Sequence, residues 1–367
     1  MASPIGVGII GANARRGWAL WAHLPALRSL PDFRIVAVGS RHAQSAADAA
    51  AFFGAERGYA DPHALIADRN VDLVVVTVRV PAHFGLVDAA IEAGKAIFCE
   101  WPLGNGLGEA EELAAKASHR GIRTAVGLQA RAAPVIRYVR DLIREGYVGE
   151  LLSSTLVGTG NNWGATVPEG AAFILDRNNG TTMLTVPFAH AIDTLCWSLG
   201  DMAALTALTA IRRPEVLVAE TGARLPMTAE DQVAVAGRLA NGAVAVAHYR
   251  GGVSRATNLR WEINGTEGDL VITGDGGNIQ FATLQLAGGR GGDRAIRPLP
   301  VPDRYIRAPQ APAGFAYNVA QAYAGLAEDM RQGTRVTPDF AEAVERHRLL
   351  AAIEAASGRA PQSITQL

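Results

Sequence analysis

The sequence is short of cysteine, of net charge and of long apolar runs, and each shortage removes a class of protein. Of 367 residues only Cys99 and Cys196 are cysteine, each in an apolar stretch with no second ligand at metal-binding spacing. That argues against a disulfide scaffold and a zinc site and fits buried thiols in a reducing compartment. Lys and Arg total 34 against 35 Asp and Glu, a formal net charge of −1, so no global field draws the chain to nucleic acid or an anionic membrane. No apolar run reaches the ~18 residues that span a bilayer, and the opening MASPIGVGII lacks the basic segment and cleavage site of a secretory leader. A cytoplasmic protein is expected. What remains is ordinary globular composition, 49% hydrophobic and 19% charged, in a chain long enough for two domains at roughly 150 residues each.

From Ile5 to about Leu128, short apolar runs alternate with segments of helical periodicity. IGVGIIG, FRIVAV, DLVVVTV, AIFC and RTAVGL lack the apolar/polar alternation of a half-exposed sheet and read as strands buried on both faces. Helical spacing fills the gaps near 17–29, 44–53, 82–93 and 108–119. Strand, helix, strand repeated predicts a doubly wound parallel sheet. After a helix over 134–145 the texture changes to β-like runs separated by Gly and Asn turns: LLSSTLVGTG, DQVAVAGRL, GAVAVAHY, LRWEING and GDLVITG. This half is expected to be an α+β domain on a large, mostly antiparallel sheet, with one helix around 185–199. The Gly-rich 288–292 and the Pro-rich 298–312 read as irregular. A closing helix is marked by Thr337 as N-cap, Pro338 at its first position and Asp339 in its first turn. The expected division is a cofactor-binding Rossmann domain over 1–128 and a substrate and oligomerisation domain over 129–367, its C-terminal helix free to pack back on the first.

The first strand runs straight into GANARRGW, the context of a turn whose amides receive a pyrophosphate at a helix N-terminus. Gly11, Asn13, Arg15, Arg16, Gly17 and Trp18 are the candidates there. The G-x-G-x-x-G pattern is not met, since Asn13 stands at the second glycine and Arg16 at the third, Asn being the residue that best tolerates a left-handed backbone after Gly. An ordinary glycine turn is the alternative. At the end of the second strand, VGSRH carries no acid for a ribose hydroxyl. Ser40 and Arg41 offer a hydroxyl and a planar guanidinium, which suit a 2′-phosphate and predict NADP over NAD. The alternative for Arg41 is a solvated residue at a helix start.

VGIIG, VDLVVVTV followed by His83, AGKAIFCEWPLG, GLQAR, EGYVGEL, and HAID followed by WEINGTEGDLVI occur together and in this order. Over nearly the whole chain this resembles the Gfo/Idh/MocA oxidoreductase family. GANARRGWALWAHLPAL, VRVPAHF, CEWPLG and NNGTTMLTVPFAHAID resemble more sharply the branch that contains an NADP-binding corepressor of the fungal galactose pathway. The resemblance implies hydride transfer between a nicotinamide cofactor and a sugar, polyol or related compound. It also implies a catalytic Lys in an E-K-P motif and a D-x-x-x-H motif on the second domain. Here the first reads Glu100-Trp101-Pro102, and the second keeps His190 but has Val186 four residues earlier.

His190 is therefore the one candidate acid/base, with Asp193 three residues on and close enough on a helix to interact with it. A buried histidine with ring nitrogens satisfied by backbone is the alternative, and no third ligand suggests a metal. By resemblance, Val78, Arg79 and His83 border the nicotinamide, Glu100 and Pro102 shape the cofactor-facing turn, and Trp101 closes over the ring or serves as a core aromatic. His83 reads equally as a helix-start residue. Gln129, Arg131, Asn161, Asn162 and Trp163 are candidates for a polyhydroxylated ligand, the last three reading equally as a turn. The expected function is an NADP-dependent oxidoreductase acting on a carbohydrate-like or cyclic alcohol or ketone. A catalytically silent NADP-binding regulator is the alternative. No nucleic-acid or membrane partner is expected, and the sticky runs QVAVAGRL and AVAVAHY predict a homodimer or homotetramer.

Overall fold

The computed structural model describes residues 3–358, so the last stretch of the domain expected over 129–367 lies outside the described residues. The chain forms two compact units, the first of Met1–Tyr138, Asn179–Thr181 and Val301–Glu345, the second of Val139–Asn178, Thr182–Pro300 and Arg346–Leu367. A single cut at 128/129 does not describe this division, because residues 301–345 belong to the first unit.

In unit 1, six parallel strands, β1 (Ile5–Ile10), β2 (Phe33–Gly39), β3 (Arg57–Tyr59), β4 (Leu73–Val76), β5 (Ala96–Cys99) and β6 (Thr124–Val126), lie in the order β3-β2-β1-β4-β5-β6. This is the doubly wound sheet expected from the unalternating apolar runs; every residue of β1 and β4 is buried. The order reverses between β1 and β4, the switch point beside which such sheets bind ligands at the strands' C-terminal ends. The exposed β3 gave no apolar signal. A helix that the sequence reading did not register, α8 (Phe315–Gln332), completes this core: Val319, Tyr323 and Leu326 cluster with Val7, Ile9, Phe33 and Phe98. Tyr323 stacks on Phe98 with centroids 5.1 Å apart and meets Phe33 edge-on at 5.3 Å. Burying a ring of this size stabilises by about 1.5–3 kcal/mol. The closing helix α9 (Phe340–Ser357) starts later than its prolyl signal suggested. Asp339 and Glu342 exchange side-chain to backbone bonds as a capping box, whereas Thr337 donates its N–H to Asp329.

Unit 2 is built on an eight-stranded sheet of order β17-β16-β15-β14-β7-β13-β12-β9. Its strands are β7 (Leu151–Thr159), β9 (Met202–Ala210), β12 (Gln232–Leu239), β13 (Val244–Arg250), β14 (Leu259–Gly265), β15 (Gly268–Gly274), β16 (Leu284–Arg290) and β17 (Arg297–Pro298). All neighbours are antiparallel except β7 and β13, whose parallel pairing uses the long connection between them. One face packs Leu156, Val233, Tyr249, Trp261 and Ile263; alternation leaves Leu208, Val244 and Val246 exposed on the other. Part of the Gly-rich stretch read as irregular belongs to β16. A Cβ on Gly288 would sit 2.7 Å from Leu299 Cδ1 and 2.8 Å from the Tyr147 hydroxyl, so glycine there serves close packing. Beneath the sheet runs α7 (Ala189–Leu199), entered through a π-helical turn over Leu184–Phe188. Pro187 has no N–H to donate, and Phe188 reaches back to the Met183 carbonyl at 3.0 Å.

Candidate functional site

The loop after β1 is shaped by two glycines at φ 102°, Gly11 and Gly17, and by the Asn13 side chain. Asn13 does not take the left-handed backbone. Its Oδ1 instead accepts the backbone N–H groups of Arg15 (2.9 Å) and Arg16 (3.2 Å), folding the loop around itself. The N–H groups of Gly11 and Ala12 go to the Gly39 carbonyl at the end of β2. Among the described residues this leaves the amides of Asn13, Ala14 and Gly17 without partners, and nothing lies within 4 Å of a Cβ built on Gly17. Unpaired amides before a helical segment, at the C-terminal edge of a doubly wound sheet, are a donor set that fits a pyrophosphate. Arg15 and Arg16 are exposed beside them, and Trp18 packs edge-on against Phe315 at 5.6 Å.

At the end of β2 the Ser40 hydroxyl donates to Ser45 Oγ at 3.0 Å, while Arg41 is exposed and its guanidinium has no ion partner among the described residues. After β4, the two ring nitrogens of His83 lie 3.0 and 2.8 Å from the Val78 and Pro102 carbonyl oxygens, of which a neutral ring donates to one. His83 is 1% exposed. Its burial pushes its pKa below the usual range, and it ties two turns together rather than presenting a donor outward. Arg79 is exposed at the start of the same turn.

Following β5, the Glu100 N–H bonds the Val76 carbonyl at 3.1 Å, Trp101 is buried, and the Trp101–Pro102 bond is cis. The Glu100 carboxylate accepts from Gln129 Nε2 at 2.9 Å on each oxygen and from His23 Nε2 at 2.9 Å. Gln129 is thus a buried residue that holds Glu100. Arg131 is also buried, with its Nη1 on Glu342. Neither presents itself as the open ligand contact expected.

In unit 2, His190 is the second residue of α7 and 4% exposed, and its carbonyl accepts the Thr194 hydroxyl at 2.7 Å. Asp193 is fully buried and pairs with Arg346, Nε to Oδ1 at 3.5 Å. The turn leading into α7 is held by Glu230, whose Oε1 accepts the Thr182 hydroxyl at 2.5 Å and the Leu184 N–H at 2.8 Å. Past β7, Asn161 and Trp163 adopt φ 57° and 59°, the non-glycine left-handed residues of the described chain. For a bulky aromatic this backbone is strained. The indole of Trp163 is buried and donates to the Ile174 carbonyl at 3.0 Å, and the side chains of Asn161 and Asn162 are exposed. Among the described residues no group of three or more His, Cys, Asp or Glu is placed to hold a metal, and no helix is long and apolar enough to cross a membrane.

Sequence reasoning missed His23, Tyr323 and Glu230. The sequence signal for His23 was the HLP segment in the helix after the phosphate loop; a pairing across 300 residues to Tyr323 left none.

Fold and loop together define a Rossmann nucleotide-binding protein with a second α+β domain. Residues 5–128 match the oxidoreductase family with an NAD-binding Rossmann fold, and residues 134–274 match the Gal80p C-terminal domain. The galactose/lactose metabolism regulatory protein GAL80 of Saccharomyces cerevisiae is 31% identical over 305 residues, 78% of this chain and 70% of that protein. A levoglucosan dehydrogenase of Pseudarthrobacter phenanthrenivorans is 28% identical, covering 73% of each chain. A crystal structure of a super-repressor mutant of S. cerevisiae Gal80p superposes with a TM-score of 0.88 at 25% identity, covering 97% of this chain and 96% of that one. The chain belongs to the Gfo/Idh/MocA oxidoreductase family and carries a C-terminal domain of the Gal80 type.

Proposed function

We propose that the protein is an NADP-dependent oxidoreductase that interconverts a carbohydrate-like or cyclic alcohol and the corresponding ketone, with His190 as acid/base. The observation that carries this reading is the phosphate loop, whose unpaired amides at Asn13, Ala14 and Gly17 suit a pyrophosphate. When bound, the dinucleotide supplies the hydride acceptor or donor. This chain's residues hold it and move the proton: as the carbinol carbon gives up hydride, its hydroxyl proton passes to the His190 ring, and the reverse step returns it. A levoglucosan dehydrogenase among the relatives supports the substrate class. The exposed Asn161 and Asn162 carry the amide chemistry that hydroxyl groups recognise.

NADP rather than NAD rests on Arg41, an exposed guanidinium with no acid beside it at the end of β2. Charge-assisted bonds of this kind contribute about 1.5–3 kcal/mol. Arg41→Ala is therefore expected to weaken NADP by ~10–100-fold while changing NAD affinity little, as read by titration calorimetry. An unchanged NADP/NAD ratio would reject the assignment.

The second reading, a catalytically silent NADP-binding regulator, is favoured by the GAL80 similarity and by Trp101 and Val186 where the family pattern has Lys and Asp. A purified protein whose bound cofactor changes absorbance at 340 nm with some sugar, lactone or cyclic ketone supports the enzyme; one that responds to no compound in a broad panel supports the regulator.

The exposed sheet face is read as the contact with a second copy of the chain. Val246 pairs across to Ala236 and Thr155, and Val244 and Leu208 lie exposed on the same face, an apolar strip that a lone protomer leaves in water. Val246→Lys is expected to convert a homo-oligomer to monomer at micromolar concentration in sedimentation velocity. A wild-type monomer under those conditions would refute the contact.

A further inference from the structure

A buried chain of hydrogen bonds in unit 1 ends on Glu100. Tyr323 Oη lies 2.7 Å from His23 Nδ1, His23 Nε2 lies 2.9 Å from Glu100 Oε1, and Gln129 Nε2 lies 2.9 Å from both carboxylate oxygens. Burial raises the Tyr323 pKa well above the usual phenol range, so the hydroxyl keeps its proton and has it to donate toward Nδ1. With Nδ1 accepting from that hydroxyl, the ring directs an Nε2–H at Glu100. His23 and Tyr323 are 0% exposed, and Tyr323 is clamped between Phe98 and Phe33, so the donors have little freedom to turn away. Gly127 is part of the same device: a Cβ there would sit 2.8 Å from Glu100 Oε2 and 3.0 Å from Gln129 Nε2.

Gln129 brings no charge to Glu100, and the following residue is Trp101 where the family pattern has Lys, so no lysine stands beside the carboxylate. It is not sealed off, since 14% of its side chain is exposed. It stands at the C-terminal end of β5, on the ligand side of the sheet and next to β4 at the switch point.

We propose that Tyr323, His23 and Gln129 are positioning residues that fix Glu100 as a stationary negative charge at the nicotinamide end of the cofactor site, favouring the oxidised, positively charged cofactor over the reduced one. This deepens the oxidoreductase reading and rests on it. An oriented charge in a partly desolvated site acts without reorganising. A nicotinamide ring carries a positive charge when oxidised and loses it on gaining hydride, so a fixed anion binds the two forms unequally. Uncharged contacts do not discriminate in this way.

The test measures dissociation constants for NADP⁺ and NADPH separately, by calorimetry or nicotinamide fluorescence, with the full-length protein. Glu100→Gln preserves the shape and one accepting oxygen but removes the charge. It is expected to weaken NADP⁺ by about tenfold relative to NADPH, the size of a charge interaction over several ångströms at a protein edge. Equal losses for both forms, or no change, would overturn the proposal. Nitrogen-15 spectra of labelled histidine in the cofactor-free protein read the chain directly. Nε2–H with bare Nδ1 is expected for His23, and Tyr323→Phe, which keeps the ring, is expected to weaken that preference. A His23 ring protonated on Nδ1 would overturn the proposal whatever the binding data. If the wild-type protein binds neither NADP⁺ nor NADPH, the cofactor reading itself fails, an outcome distinct from binding both forms without a bias from Glu100.

Discussion

Arg346→Leu is expected to destabilise the protein by about 3–5 kcal/mol, read as a drop in the urea midpoint at pH 7 followed by circular dichroism. Arg346 is 7% exposed and lies against Asp193, which is fully buried in α7, while its Nη2 reaches the outer carboxylate of Asp201. The substitution preserves much of the apolar stem but leaves the Asp193 carboxylate buried without its counter-charge, and breaking a buried pair from one side carries a cost of this order. The sharper test is the double variant, Asp193→Leu with Arg346→Leu. Replacing both members of a buried pair with apolar side chains is often close to neutral, so the double variant should recover most of the loss. A double variant as unstable as the single one would mean that packing around the guanidinium, not the orphaned charge, sets the effect. The structure shows Asp193 buried against Arg346, a partner that its spacing from His190 did not indicate.

That reassignment shows where the sequence could be read and where it could not. The doubly wound sheet was legible because β1, β2, β4 and β5 are short, mostly apolar runs without polar alternation, Arg34 being their one charged residue, a pattern few other environments tolerate. The hairpins of unit 2 were legible from turns such as Asn241-Gly242, whose glycine sits at φ 94°. Helix α8 was missed although Gly314 and Gly333 bracket it, because its alanine-rich body carries a diffuse apolar face and its partners, Val7 and Ile9, lie some three hundred residues away. The site followed the same rule. Loop residues such as Arg41 could be nominated from local chemistry. What Glu100, Gln129 and Asp193 do depended on His23, on Glu100's own turn and on Arg346, none of them at a spacing that a motif records.

His190→Ala is expected to lower turnover by ~10²–10⁴-fold, the usual range for losing a positioned acid/base, while leaving the affinity for NADP within about twofold. The separation is expected because the groups assigned to the cofactor, the phosphate loop, Arg41 and Glu100, belong to unit 1 and His190 to unit 2. With Trp101 and Val186 in place of ionisable residues, His190 is the member of that set that this chain keeps. The loss should therefore approach the upper end of that range. Added imidazole should restore part of the rate in His190→Ala, because the substitution opens a space of the ring's size at a buried position. Full activity in His190→Ala would remove the histidine from the chemistry and leave water as the proton acceptor. A wild-type protein that binds NADP tightly yet turns over nothing would place Trp101 and Val186 as marks of lost catalysis, and His190 as a buried residue that the Gal80-type domain keeps for its fold.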